Sequence, residues 1–172
     1  FSYNHNEVVF KDEPERAVDW QRETGHPYNA WLMYKCIGVF ADDEALAAYP
    51  HWNNAKPGDL IFEDYSKDGK IDGNDRVLID EVDVPEVYYG LNLDASWKGF
   101  TLTVMMQGQG KFYKFNHYDE RRGEAGNYFQ WTYDDRWTAT NKNTNIGRAF
   151  NRNDFYWAHA VNMSTYWLDN TA

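Results

Sequence analysis

Tyr88-Tyr89-Gly90-Leu91-Asn92-Leu93-Asp94-Ala95-Ser96-Trp97-Lys98-Gly99-Phe100-Thr101-Leu102-Thr103-Val104-Met105-Met106-Gln107 decides how this chain is read. In the first arm Tyr89, Leu91, Leu93, Ala95 and Trp97 fall on one face, and Tyr88, Gly90, Asn92, Asp94 and Ser96 on the other. In the second arm Phe100, Leu102, Val104 and Met106 share a face, opposed by Thr101, Thr103, Met105 and Gln107. Alternation of period two on both sides of a tight Lys98-Gly99 turn predicts a β-hairpin. Each arm has about ten residues, the length that crosses a bilayer when tilted. Tyr89 stands at one end of the apolar face, Trp97 and Phe100 at the other. An aliphatic band between aromatic ends is how an outer-membrane strand meets its two interfaces, and the polar face suits a water-filled lumen. The same alternation also suits two strands of a soluble sandwich with the apolar side inward.

Upstream, Asp64-Tyr65-Ser66-Lys67-Asp68-Gly69-Lys70-Ile71-Asp72-Gly73-Asn74-Asp75 places oxygen side chains at loop positions 1, 3, 5, 9 and 12, with glycine at position 6 and isoleucine at position 8. This is the spacing of a calcium loop of the EF-hand type. The expected ligands are Asp64, Ser66 and Asp68 by side chain, Lys70 by its carbonyl, Asp72 directly or through water, and Asp75. Asp75 is shorter than the usual glutamate at its position, which limits bidentate reach. The bland alternative is a solvated acidic turn, although four carboxylates in one short loop repel each other unless a cation neutralises them. The expected role of the ion is structural, as a staple for a long loop.

The chain has 172 residues, enough for one domain of ordinary size, and a formal net charge of −10. That balance excludes nucleic-acid backbone and anionic lipid headgroups as expected partners, since both demand clustered cations. Aromatic residues make up 18% of the chain, many in polar surroundings, as at membrane interfaces and ligand platforms. Cys36 is the single cysteine, so no intrachain disulfide forms, and it reads as a small buried apolar residue. No apolar run approaches the roughly 20 residues of a membrane helix, and no signal peptide opens the chain. The abrupt ends at Phe1 and Ala172 suggest a segment of something longer.

Around these two motifs, residues 1–10 read as the tail of a strand and residues 11–30 as loop. Residues 31–40 are apolar and β-prone, and Ala41–Ala48 is expected as one short helix. Leu60-Ile61-Phe62 leads into the acidic loop as a strand, and Arg76 to Asp80 leaves it as another. From Gly108 to Ala172 the chain is polar, aromatic and poorly periodic. So long a stretch without regular structure suits an external barrel loop better than a compact domain.

Tyr34-Lys35-Cys36-Ile37-Gly38-Val39-Phe40, Pro57-Gly58-Asp59-Leu60-Ile61, Asp68-Gly69-Lys70-Ile71-Asp72-Gly73-Asn74-Asp75-Arg76, Tyr89-Gly90-Leu91-Asn92, Trp97-Lys98-Gly99-Phe100-Thr101-Leu102 and Gln107-Gly108 follow one another in this order. The series resembles the C-terminal half of SusC/RagA-type TonB-dependent outer-membrane transporters of Bacteroidetes-type bacteria. Asp135-Arg136-Trp137-Thr138 with Asn141, and Ser164-Thr165-Tyr166-Trp167-Leu168, extend the resemblance over most of the chain. Val104-Met105-Met106 and Ser66 depart from the family's pattern.

The resemblance implies an all-β fold: a segment of a large antiparallel transmembrane β-barrel of about 22 strands, with long extracellular loops. Residues 1–10 would end a barrel strand, 11–87 would form an extracellular loop carrying the calcium motif, 88–109 a transmembrane hairpin, and 110–172 a loop leading to the next strand. Lys98-Gly99 would then face the periplasm. The implied function is import of glycans or peptides across the outer membrane. The implied partners are outer-membrane lipid, a SusD-like surface lipoprotein, and TonB through a part of the protein outside this sequence. A soluble, calcium-stabilised all-β carbohydrate-binding module is the alternative.

Trp131, Tyr133, Trp137 and Trp157 are candidate sugar-stacking residues, with Phe155, Tyr156, Tyr166 and Trp167 nearby in sequence. Loop packing explains the same residues. No catalytic residues are expected. His5, His26, His51, His117 and His159 are scattered, and Ser96 and Ser164 lie in no nucleophile elbow. Asp134 with Asp135, or Glu120 with Glu124, form no pattern beyond abundant acidic residues. Asn162-Met163-Ser164 matches a glycosylation sequon too short to carry weight.

Overall fold

Among the described residues strands outnumber helices, and every pair of named strands runs antiparallel. The structure, a computed structural model, describes residues 1–16, 18–80, 82–115, 129–150, 154, 156 and 164–169. The hairpin is its longest element. β6 (Val87–Trp97) and β7 (Phe100–Gly110) have 11 residues each and pair without a break from Val87 opposite Gly110 to Trp97 opposite Phe100. Lys98 (φ 49°) and Gly99 (φ 83°) both lie in the left-handed region. This is the two-residue turn whose twist matches that of the flanking strands.

Register makes the apolar face continuous across both strands: Leu91 lies opposite Met106, Leu93 opposite Val104, and Ala95 opposite Leu102. The Tyr89 ring lies over Gly108, where an added methyl would fall 2.3 Å from it. On the other face Thr103 Oγ1 donates to Asp94 Oδ1 at 2.6 Å, and the Ser96 and Thr101 hydroxyls share a hydrogen bond at 3.2 Å. β1 (Ser2–Tyr3) extends the sheet beside Val87 and Tyr88 alone. The strand expected over residues 1–10 is therefore shorter. Val8 instead donates to His26 O and accepts from Gly25 N, both at 2.9 Å, which draws the chain out of the sheet.

A second body is built from the flanking segments. β2 (Trp31–Tyr34) and β3 (Cys36–Val39) run in succession, β2 against β5 (Arg76–Ile79) and β3 against β4 (Leu60–Phe62). Phe62 faces Cys36 and Arg76 faces Tyr34. The acidic loop thus leaves and rejoins the structure two residues apart along the partner strand, as a closed detour. α1 covers Asp43–Ala48, two residues shorter at its start than expected, because Asp42 is its cap and accepts Ala45 N at 3.2 Å. A second helix, α2 (Gln130–Asp135), has no counterpart in the sequence reading, since Phe129 gives it no side-chain cap.

The region after Gly108 is more regular than its composition suggests. Besides α2 it contains β8 (Lys114–Phe115), paired with β9 (Leu168–Asp169), and a 3-10 turn at Thr165–Trp167. It also supplies two of the six buried residues of a core. Phe150 and Tyr156 pack with Tyr34, Leu60, Phe62 and Ile71, and Trp52 closes the cluster. Ring centroids of Tyr34, Trp52, Phe62 and Tyr156 lie 5.2–5.9 Å apart, in the range where aromatic pairs add about 0.5–1.5 kcal/mol each beyond burial.

Two polar contacts lock the halves together. The Tyr156 hydroxyl donates to Leu60 O. Asp59, fully buried, pairs with Arg148 Nε at 2.7 Å and accepts Lys56 N at 2.8 Å, while Arg148 Nη2 reaches Asp154 at 2.6 Å. Burial alone would lower the Arg148 pKa, but the Asp154 and Asp59 carboxylates more than offset this and hold it above its usual value. Burial pushes the Tyr156 phenol far above its usual value, with Asp59 adding to the effect. Among the described residues no helix is long and apolar enough to cross a membrane.

Candidate metal centre

The detour between β4 and β5 carries the expected ligand set, and its backbone is shaped by the side chains of that set. Gly69 takes φ 81°, the left-handed turn required at its position. Asp64 accepts Asp68 N at 3.2 Å and Gly69 N at 2.9 Å, pulling the first half of the loop around its carboxylate. Asp75, buried, accepts Ser66 N at 3.0 Å and Asp72 N at 2.7 Å, drawing the far end back to the start. Ser66 Oγ donates to Asp64 Oδ1 at 3.3 Å. Asp64, Ser66 and Asp75 are thereby brought together. Ile71 enters the core beneath the loop.

Asp68 and Asp72 are exposed and serve neighbouring amides, Asp68 accepting Lys70 N and Asp72 accepting Asn74 N. Lys70 is exposed as well. Among the described residues, no three His, Cys, Asp or Glu side chains gather as a metal cluster. The donors are nonetheless all oxygen, the chemistry a hard cation selects. A carboxylate oxygen that accepts one N–H keeps a second lone pair for a metal.

A dipeptide far away in sequence also grips the loop. Trp20 Nε1 donates to Asn74 O at 2.8 Å, and Gln21 Nε2 donates to Gly73 O at 2.7 Å and Arg76 O at 3.0 Å. Trp20 also meets Tyr65 edge-on, at 5.3 Å between centroids. Nothing in the sequence marked Trp20 or Gln21, because residues 11–30 carry no periodic pattern and the contact spans more than fifty positions.

The aromatic candidates separate. Trp131 and Tyr133 are exposed on α2, where Trp131 stacks with Phe129 at 6.2 Å and Tyr133 lies under the Arg136 guanidinium at 4.0 Å. Trp137 is half-buried: its indole N–H donates to Ala41 O at 3.0 Å and its ring lies against Gly58. It acts as a packing residue between the two long segments. Trp157 lies outside the described residues, as do Phe155, His117, His159, Glu120, Glu124 and Asn162. The remaining histidines take separate partners: His5 meets Glu86, His26 meets Asp80, and His51 meets Tyr49 O. Compared with known proteins, the chain matches no family model and no curated sequence.

Proposed function

We propose that the chain is part of a TonB-dependent outer-membrane importer of the SusC/RagA type, carrying glycans or peptides with a SusD-like lipoprotein at the cell surface. The observation that carries this reading is the hairpin's apolar face. It is as long as a bilayer-crossing strand, bounded by aromatic residues, and covered by no second layer among the described residues. Leu93 is 52% exposed and Leu102 63%. Water tolerates such a patch poorly, whereas hydrocarbon accepts it. Lys98-Gly99 then faces the periplasm, and the body built from residues 11–87 and 110–172 stands outside. Trp131 and Tyr133 present exposed rings there for sugar.

In the same reading Asp64, Ser66, Asp68, the Lys70 carbonyl, Asp72 and Asp75 hold calcium, which supplies the positive charge that lets four carboxylates share one short loop. A second reading, a soluble calcium-stabilised carbohydrate-binding module, is favoured by the aromatic core, which closes without any hairpin residue.

Fractionation separates the two. An importer is recovered from outer membranes only with detergent; free solubility of the chain in buffer sinks that assignment and leaves the module. Calcium is tested by thermal melting with and without chelator. Saturation at a hundredfold excess over Kd stabilises by about 2.7 kcal/mol, and an unchanged Tm removes the ion from the account.

A further inference from the structure

We infer that Trp20 and Gln21 are positioning residues that set the cation affinity of the 64–75 loop, an inference that rests on the calcium reading above. The loop supplies its last two ligand positions, Asp72 and Asp75, from the cap and the end of the 3-10 turn Gly73–Asp75. One isolated turn leaves most of its carbonyls without partners of its own and is too short to hold its shape unaided. Here three carbonyls are met by one dipeptide: Asn74 O by Trp20, and Gly73 O and Arg76 O by the two hydrogens of a single Gln21 amide. Gln21 is only 6% exposed, so it has no water to fall back on and its orientation is fixed by the turn it serves. The Trp20 ring meanwhile lies against Tyr65 at the loop's second position. The dipeptide therefore holds the rear turn by hydrogen bonds and touches the front of the loop through a ring contact at Tyr65.

Cation binding requires oxygens from both halves of the loop to converge, and four carboxylates left to themselves move apart. A grip that fixes the rear turn places Asp72 and Asp75 before the ion arrives and reduces the ordering that binding must impose. Outer groups that orient metal ligands typically account for about 10- to 100-fold in affinity. Linkage makes the effect mutual: the ion also tightens the docking of the charged 11–30 segment onto the body.

The test uses the intact protein in detergent, stripped with chelator and titrated with calcium by calorimetry, with terbium luminescence sensitised through Trp20 as a second readout for the Gln21 variant alone. Gln21→Leu keeps the volume and donates nothing; Trp20→Phe keeps a ring and loses the N–H. Gln21→Leu is expected to weaken calcium binding about 10- to 100-fold, and Trp20→Phe by a smaller factor, with circular dichroism in chelator unchanged. Wild-type affinity in both folded variants overturns the inference and leaves the loop's calcium binding intact. Absence of calcium uptake by the wild type overturns both. If Gln21→Leu does not fold, Trp20→Phe decides: severalfold weaker binding supports the grip, and wild-type affinity overturns it.

Discussion

The hairpin and the body it carries are made of the same kinds of residue and treat them in opposite ways. In the body, Leu60 is fully buried and Phe62 is 1% exposed, under rings brought from both long segments. In the hairpin, Leu91, Leu93, Leu102 and Met106 stand open to the surroundings although their register is perfect. One region brings its own apolar environment; the face of the other is covered by nothing among the described residues. Strand alternation alone does not distinguish these cases, because it states which residues share a face and not what lies against that face.

The comparison breaks first at the body's buried ion pair. Asp59→Ala leaves Arg148 with Asp154 alone and strands Lys56 N, and up to the roughly 3–5 kcal/mol of a broken buried pair is lost. Chemical denaturation followed by tryptophan fluorescence should show the body unfolding early while the hairpin's strand signal persists. A single shared transition would mean that the two regions are not energetically separate.

The hairpin is probed by Leu93→Arg. At the middle of a bilayer it should cost roughly 2–4 kcal/mol, read as loss of folding into lipid vesicles, while Thr103→Arg on the polar face should be tolerated. Equal tolerance of both changes would remove lipid as the partner of the apolar face.

Tyr156 sharpens the contrast least. Its folded pKa lies above the unfolded value, so its contribution is complete below pH of about 10 and is lost as pH rises past that point. Base titration of the body should show this loss, and Tyr156→Phe should reduce it, the remainder coming from Tyr34, whose phenol is also raised by burial. The same variant costs about 1–3 kcal/mol at neutral pH by stranding Leu60 O. A wild type as stable above pH 11 as at pH 8 would contradict the burial of the phenol.

The hairpin was legible because its signals are local: alternation, arm length and a Lys98-Gly99 turn with both residues at positive φ. The acidic loop was legible for the same reason, since Gly69 and the carboxylates act within twelve positions. β4, β5 and α1 followed from apolar runs and helix propensity, while the Asp42 cap that sets the start of α1 was not read. α2 was missed because six residues without a cap carry no signal. The core contribution of Phe150 and Tyr156 was missed because nothing periodic announces it. Trp137, a candidate for sugar stacking or loop packing by sequence, is half-buried with its indole N–H on Ala41 O, a contact that composition does not announce.

What the sequence by itself determined, then, is what is set by neighbours along the chain: the strand faces, the turn and the order of acidic residues in the loop. Only the tertiary structure decided that Asp59 meets Arg148, that Tyr156 seals Leu60, and that Trp20 and Gln21 grip a loop more than fifty residues away. Local features follow from backbone geometry that repeats every two to four residues. Distant contacts depend on which surfaces remain to be buried once those features have formed, and that is a property of the whole chain in space.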